Sequence, residues 1–210
     1  MTWQHFVAMG DSLTEGWGEP YPGLEHLSWA ERLARAIAPL HDGFEFTNLS
    51  FRGLTLAQVE ERQLQEALTL QPDLASLNAG ANDVAWNDWD GSTYHARMDR
   101  MLAALGEDGA TLITFTLADV WHILPYAPAG FYDRVREMND VIRELSAKHD
   151  TVFFDFWQHP EVMPPDSWGG DAVHPNALGY LQMARALADA LGQRAGIDIA
   201  GESLALPPSP

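Results

Sequence analysis

Three short clusters and one glycine supply the residue types that cleavage of an ester by a serine needs. Residues 7–16 read VAMGDSLTEG, and Ser12 stands two residues beyond Gly10, where the apolar run of residues 5–9 stops. A strand that ends there delivers a hydroxyl to the edge of a sheet. The hydroxyl becomes a nucleophile only with a base to take its proton and with N–H donors aimed at the oxyanion that forms. Residues 171–175, DAVHP, offer the base: one tight loop with three-residue spacing can present His174 together with Asp171 to orient it. The donors would be the backbone N–H groups of Ser12 and Gly53 and the side-chain amide of Asn82, from GAND at residues 80–83. A glycine at 53 lets the backbone approach a substrate closely.

The fold must bring these clusters together. Apolar runs alternate with helical patterns along the chain, which is the signature of a parallel sheet covered on both faces. Strands are expected over residues 5–9, 44–49, 74–78, 110–116 and 151–156. Ser28 with Glu31 and Thr55 with Gln58 have capping-box spacing at the heads of two helices. Further helices are expected over residues 94–105, 131–148 and 176–194, with loops over 82–91, 117–130 and 157–171. The fold class is therefore α/β: a three-layer, flavodoxin-like doubly wound sheet of about five parallel strands, helices on both faces, order 2-1-3-4-5. In that order the loops after strands one, two and three are neighbours. Strand five lies three positions from strand one, roughly 14 Å away, so a histidine loop serving Ser12 must reach back across the sheet. Residues 1–196 are expected to form one domain and 197–210 a loose tail.

On these residues the chain resembles the SGNH hydrolases, the GDSL esterases and lipases, over nearly its whole length. Gly10-Asp11-Ser12-Leu13 resembles the first block of that family, Gly53 the glycine of the second, Gly80-Ala81-Asn82-Asp83 the third and Asp171 to Pro175 the last. The resemblance implies Ser12 as nucleophile, Asn82 in the oxyanion hole, His174 as base and Asp171 as its orienter. In this family the orienting carboxylate is less essential than in chymotrypsin-like enzymes. Gly-Asp-Ser-Leu alone is a weak signal, and the chain carries its own control, the near copy Gly201-Glu202-Ser203-Leu204, to which no role is assigned. The strength lies in the order of the blocks. No Gly-x-Ser-x-Gly elbow occurs, which argues against an α/β-hydrolase.

Composition narrows the remaining choices. Twelve basic residues against thirty acidic ones give a formal charge of −18, which repels nucleic acid and anionic lipid surfaces. There is no cysteine, so disulfides and thiolate chemistry are out of consideration. No segment approaches the roughly 20 apolar residues of a membrane span, and residues 1–5 lack a signal-like pattern. The expectation is a cytoplasmic protein with no metal, no cofactor and a small-molecule ester as partner. Trp17, Trp86, Trp89, Trp121 and Trp168 fall in loops at the carboxyl end of the sheet and are candidates for walls of a substrate pocket. The reading is a serine esterase for small or medium acyl groups, acetyl esters included. The alternatives are a thioesterase, lysophospholipase or acyltransferase using the same site, or a non-catalytic flavodoxin-like binding module.

Overall fold

The computed structural model of the chain describes residues 3–85, 89–119, 127 and 129–206. In chain order the regular elements are β1 (His5–Gly10), α1 (Ser12–Glu15), α2 (Trp29–Ile37), β2 (Glu45–Asn48) and α3 (Leu56–Val59). A π-helical turn (Glu60–Leu64) joins α3 to α4 (Gln65–Thr69), and β3 (Leu74–Asn78), α5 (Ala81–Ala85) and α6 (Gly91–Gly106) follow. The described chain continues with β4 (Thr111–Phe115), α7 (Phe131–Lys148), β5 (Val152–Phe154) and α8 (Ala177–Ala195).

The sheet is parallel throughout, in the order β2-β1-β3-β4-β5 that the alternation of elements implies. β1 is buried on both faces because its side chains alternate between two cores. Phe6 and Ala8 point into one with α2 and α8, while Val7 and Met9 point into the other with α3, α6 and α7. That two-sided burial explains the unbroken apolar run that the sequence shows before Gly10. Helix starts follow their capping signals: the Ser28 hydroxyl accepts from the Glu31 N–H, and the Gln58 amide oxygen accepts from the Thr55 N–H.

Three elements differ from expectation. The segment after β3, expected as a loop, contains the short helix α5, whose first turn is closed by the Val84 N–H on the Gly80 carbonyl. β5 ends at Phe154 because Asp155 turns its carboxylate to the Thr116 hydroxyl and Arg143, and Phe156 then drops into the core. The expected loose tail packs as far as Leu204: Ile199 and Leu204 are buried against α2 and α8, and Leu206 is exposed. Arg32, itself buried, donates to the Ser203 carbonyl, and Arg185 donates to that of Leu204. Among the described residues no helix is long and apolar enough to cross a membrane.

Candidate active site

Ser12, His174 and Asp171 meet at the carboxyl end of the sheet. His174 Nε2 lies 2.9 Å from Ser12 Oγ, and its Nδ1 lies 2.6 Å from Asp171 Oδ2. With the Nδ1 proton donated to the carboxylate, Nε2 is left to accept the serine proton, which is the tautomer a base requires.

The serine is placed by the sheet. β1 ends at Gly10, Asp11 caps α1 by accepting from the Leu13 N–H, and Ser12 opens that helix with only 7% of its surface exposed. The Ser12 N–H belongs to the first turn, where no intrahelical acceptor exists, so it is available as a donor. Beneath, the buried Tyr180 of α8 donates its hydroxyl proton to the Trp17 carbonyl at 2.7 Å and holds the exit of α1. Burial pushes the Asp11 carboxyl up to about 6, against the hydrogen bonds of Leu13 and Gly80 N–H, and nearby Asp83 adds to the rise.

The histidine is placed by lacing. Trp168 and Pro175 form an isolated antiparallel bridge, and the Gly169 N–H donates to the His174 carbonyl. Asp171 Oδ1 accepts from the N–H groups of Val173 and His174, each at 2.9 Å, while Ala172 takes a left-handed φ of 54° to close the turn. The loop after α1 ties this unit down: the Glu19 carboxylate accepts from the Gly170 N–H and its carbonyl from the Ala177 N–H. Burial raises the Asp171 carboxyl, but the hydrogen bonds from His174 and Val173 outweigh it and hold the group below its ordinary range.

Asn82, in α5, donates its amide to the Leu54 carbonyl at 3.0 Å and faces Asp11 Oδ2 at 3.5 Å. The side chain is thus locked to the residue after Gly53. Gly53 has a left-handed φ of 77°, and a Cβ there would meet nothing within 4 Å. The dihedral angle by itself favours glycine here, and the space beside its Cα is open.

A cavity of about 270 Å³ opens beside Ser12, Asn82 and His174. Its walls are mainly apolar, among them Phe115, Leu117, Phe156, Met163, Trp168 and Met183. Of the five candidate tryptophans, Trp168 lines this cavity, while Trp86 and Trp121 lie outside the described residues. Trp17 does not line it: the residue is 47% exposed and its ring lies under the Arg52 guanidinium, which Glu15 holds in place. Trp89 is also elsewhere, because its indole N–H donates to Glu137 and its ring packs on Tyr94 beside a separate hollow. Loop position alone does not orient a side chain, and each of these rings follows a local cation or acceptor.

Three supporting residues are not singled out by the sequence patterns: Glu19, Tyr180 and Gln63. Glu19 and Tyr180 leave no trace in the letters. Gln63 does leave one, since Leu56, Val59, Gln63 and Ala67 recur at the spacing of one buried helix face, and all four are buried. A glutamine in an apolar stripe marks a polar partner inside.

Known proteins resemble this chain in sequence and in fold. The sequence model described as the GDSL-like Lipase/Acylhydrolase family matches residues 8–182. An acetylxylan esterase of Geobacillus stearothermophilus is 25% identical over 214 residues, covering 90% of this chain and 94% of that protein. The crystal structure of a lipase/acylhydrolase from Enterococcus faecalis superposes with a TM-score of 0.72 at 23% identity, covering 94% of this chain and 99% of that one. A psychrotrophic esterase from Pseudoalteromonas sp., inhibited by monoethylphosphonate, gives 0.69 at 15% identity over 92% and 99% of the two chains. These two structural likenesses speak to the fold.

Proposed function

This chain belongs to the GDSL-like lipase/acylhydrolase family and is a serine ester hydrolase, and we propose that Ser12, His174 and Asp171 are its catalytic residues, acting on esters whose acyl group enters the apolar cavity. The observation that carries this reading is the unbroken contact from Ser12 Oγ through the imidazole to Asp171, at the mouth of that cavity.

In the proposed reaction Ser12 Oγ attacks the ester carbonyl and its proton passes to His174 Nε2. The imidazolium is held by Asp171, whose carboxyl stays ionised because its pKa is depressed. The oxyanion is assigned to the Ser12 and Gly53 N–H groups and to the Asn82 amide proton that the Leu54 carbonyl does not hold, whose contact with Asp11 is long at 3.5 Å. Collapse breaks the bond to the leaving alkoxide, which takes the proton from Nε2 and departs as the alcohol. Water then gives a proton to Nε2 as it attacks the acyl-enzyme, and the second collapse returns that proton to Ser12 Oγ and releases the acid.

The cavity sets the acyl group. At about 30 Å³ per water-sized element of volume, about 270 Å³ leaves an acetyl group most of the space unfilled. The acetylxylan esterase relative supports acetyl esters as substrates; the cavity supports a medium acyl group as the better one. The test is kcat/KM on p-nitrophenyl esters of rising acyl length. Each buried methylene adds about 0.8 kcal/mol, so the value should climb by up to about fourfold per carbon and level off near roughly eight carbons. A maximum at acetyl followed by a steady fall would exclude this cavity as the acyl site. Product analysis with an added alcohol separates hydrolysis from acyl transfer.

A further inference from the structure

Gly10 is the last residue of β1 and stands two residues before Ser12. On its β2 side the ladder runs out. The register pairs Ala8 with Asn48, the Leu49 N–H still reaches the Ala8 carbonyl, and then the chain peels away to form the loop that carries Gly53. The Phe51 N–H returns to the Gly10 carbonyl at a long 3.3 Å. A continuing parallel ladder would also bring a β2 carbonyl to the Gly10 N–H.

That place is taken by a side chain. Gln63 Oε1 accepts from the Gly10 N–H at 2.9 Å, and Gln63 Nε2 donates to the Gly10 carbonyl at 2.9 Å. The residue is 2% exposed. A primary amide that both accepts and donates reproduces the face of a strand peptide, so Gln63 completes the ladder that β2 abandons. It does so from the π-helical turn Glu60–Leu64. A π-turn inserts one residue and rotates the next stretch of helix by about 100° relative to an unbroken α-helix. Gly10 itself admits no alternative, since a Cβ there would lie 2.3 Å from the Asn78 carbonyl oxygen at a φ of 155°.

We propose that Gln63 is a positioning residue for the ester hydrolysis: by standing in for the missing β2 peptide it keeps Gly10, and with it the turn bearing Ser12, in register with the loop bearing Gly53. The inference rests on the reading of Ser12 as nucleophile.

Steady-state kinetics of Gln63→Leu, Gln63→Glu, Val59→Ala and Ser12→Ala on one p-nitrophenyl ester test it. Gln63→Leu is expected to lower kcat about 10- to 100-fold, the scale of a misplaced reacting group, with KM within about twofold. Val59→Ala removes core volume beside β1 but leaves the Gln63–Gly10 hydrogen bonds in place, and should lower the melting temperature while keeping kcat. Gln63→Glu can both accept and donate only when protonated, so its kcat relative to wild type should rise as pH falls from about 8 to about 5, while the Gln63→Leu ratio stays flat. Wild-type kcat in Gln63→Leu, or a pH-independent ratio in Gln63→Glu, overturns the inference, as does an equal kcat loss in Val59→Ala. Activity retained by Ser12→Ala overturns the reading of the site itself; an inactive Ser12→Ala beside a fully active Gln63→Leu overturns the positioning role alone.

Discussion

Gly10-Asp11-Ser12-Leu13 and Gly201-Glu202-Ser203-Leu204 differ by one methylene in their letters and by everything in their surroundings. The first ends a central strand and opens a helix; the second is a 3₁₀ turn (Glu202–Leu204) folded over α2. Asp11 is buried and caps α1, whereas Glu202 is exposed. Ser12 Oγ meets a histidine held by a carboxylate, whereas Ser203 Oγ donates to the Arg32 carbonyl at 3.0 Å. A Cβ on Gly10 would collide with the Asn78 carbonyl, while one on Gly201 would find its nearest neighbour at 3.8 Å. A serine hydroxyl is a weak nucleophile by itself, and the same group bonded to a peptide carbonyl only closes a loop. The four letters therefore carry no chemistry by themselves; the two serines differ in the partners that the fold brings to them.

Removing each hydroxyl in turn tests that contrast most severely. Ser12→Ala should lower kcat by at least about 10³- to 10⁴-fold, read from single-turnover or steady-state hydrolysis of the preferred p-nitrophenyl ester. Equal activity in that variant would reduce the first quartet to the standing of the second.

The acidic residues of the two quartets should separate next. Because burial raises the Asp11 carboxyl from 3.8 to about 6, the native state holds an extra proton across that interval. Its contribution to stability is present below the lower value and is lost as pH rises through the upper one. The change amounts to about 3 kcal/mol for a shift of about two units. Denaturant midpoints measured from about pH 4 to about pH 7 should fall with rising pH in the wild type, and Asp11→Asn should flatten that slope. Superimposable profiles for the two proteins would refute the buried-carboxyl account. Glu202→Gln, at the exposed counterpart, should leave the wild-type slope intact.

The smallest effect belongs to the second serine. Ser203→Ala gives up one hydrogen bond to Arg32, so it should cost about 1 kcal/mol of stability and leave kcat/KM unchanged. A loss of activity there at constant melting temperature would give the terminal quartet a role that its geometry denies it.

The wider fold follows the same division between letters and neighbours. The buried run before Gly10, the capping serine at 28 and the alternation of elements are legible because each depends on residues close in sequence, and the strand order is the usual one of a flavodoxin-like sheet. Within the site, Ser12, Asn82, Asp171 and His174 are visible as residue types in order. Trp17 and Trp89 depart from the expected pocket because a ring in a loop turns toward whichever partner lies nearest, here Arg52 and Glu137. The tail through Leu204 looks loose in the letters because its anchors, Arg32 and Arg185, lie more than a hundred positions and about twenty positions upstream respectively.

Local letters alone set the pattern of strands and helices, and with it the end of the sheet at which the reactive types emerge, since burial periodicity and capping act over a few residues. It took the folded chain to establish that His174 reaches Ser12, that Gln63 bonds both peptide groups of Gly10, and that the cavity beside them is mainly apolar. These depend on distances of a few ångström between residues far apart in the chain, such as the 2.9 Å that joins Ser12 to His174, and hydrogen bonds of that length are set by packing, which no local pattern encodes.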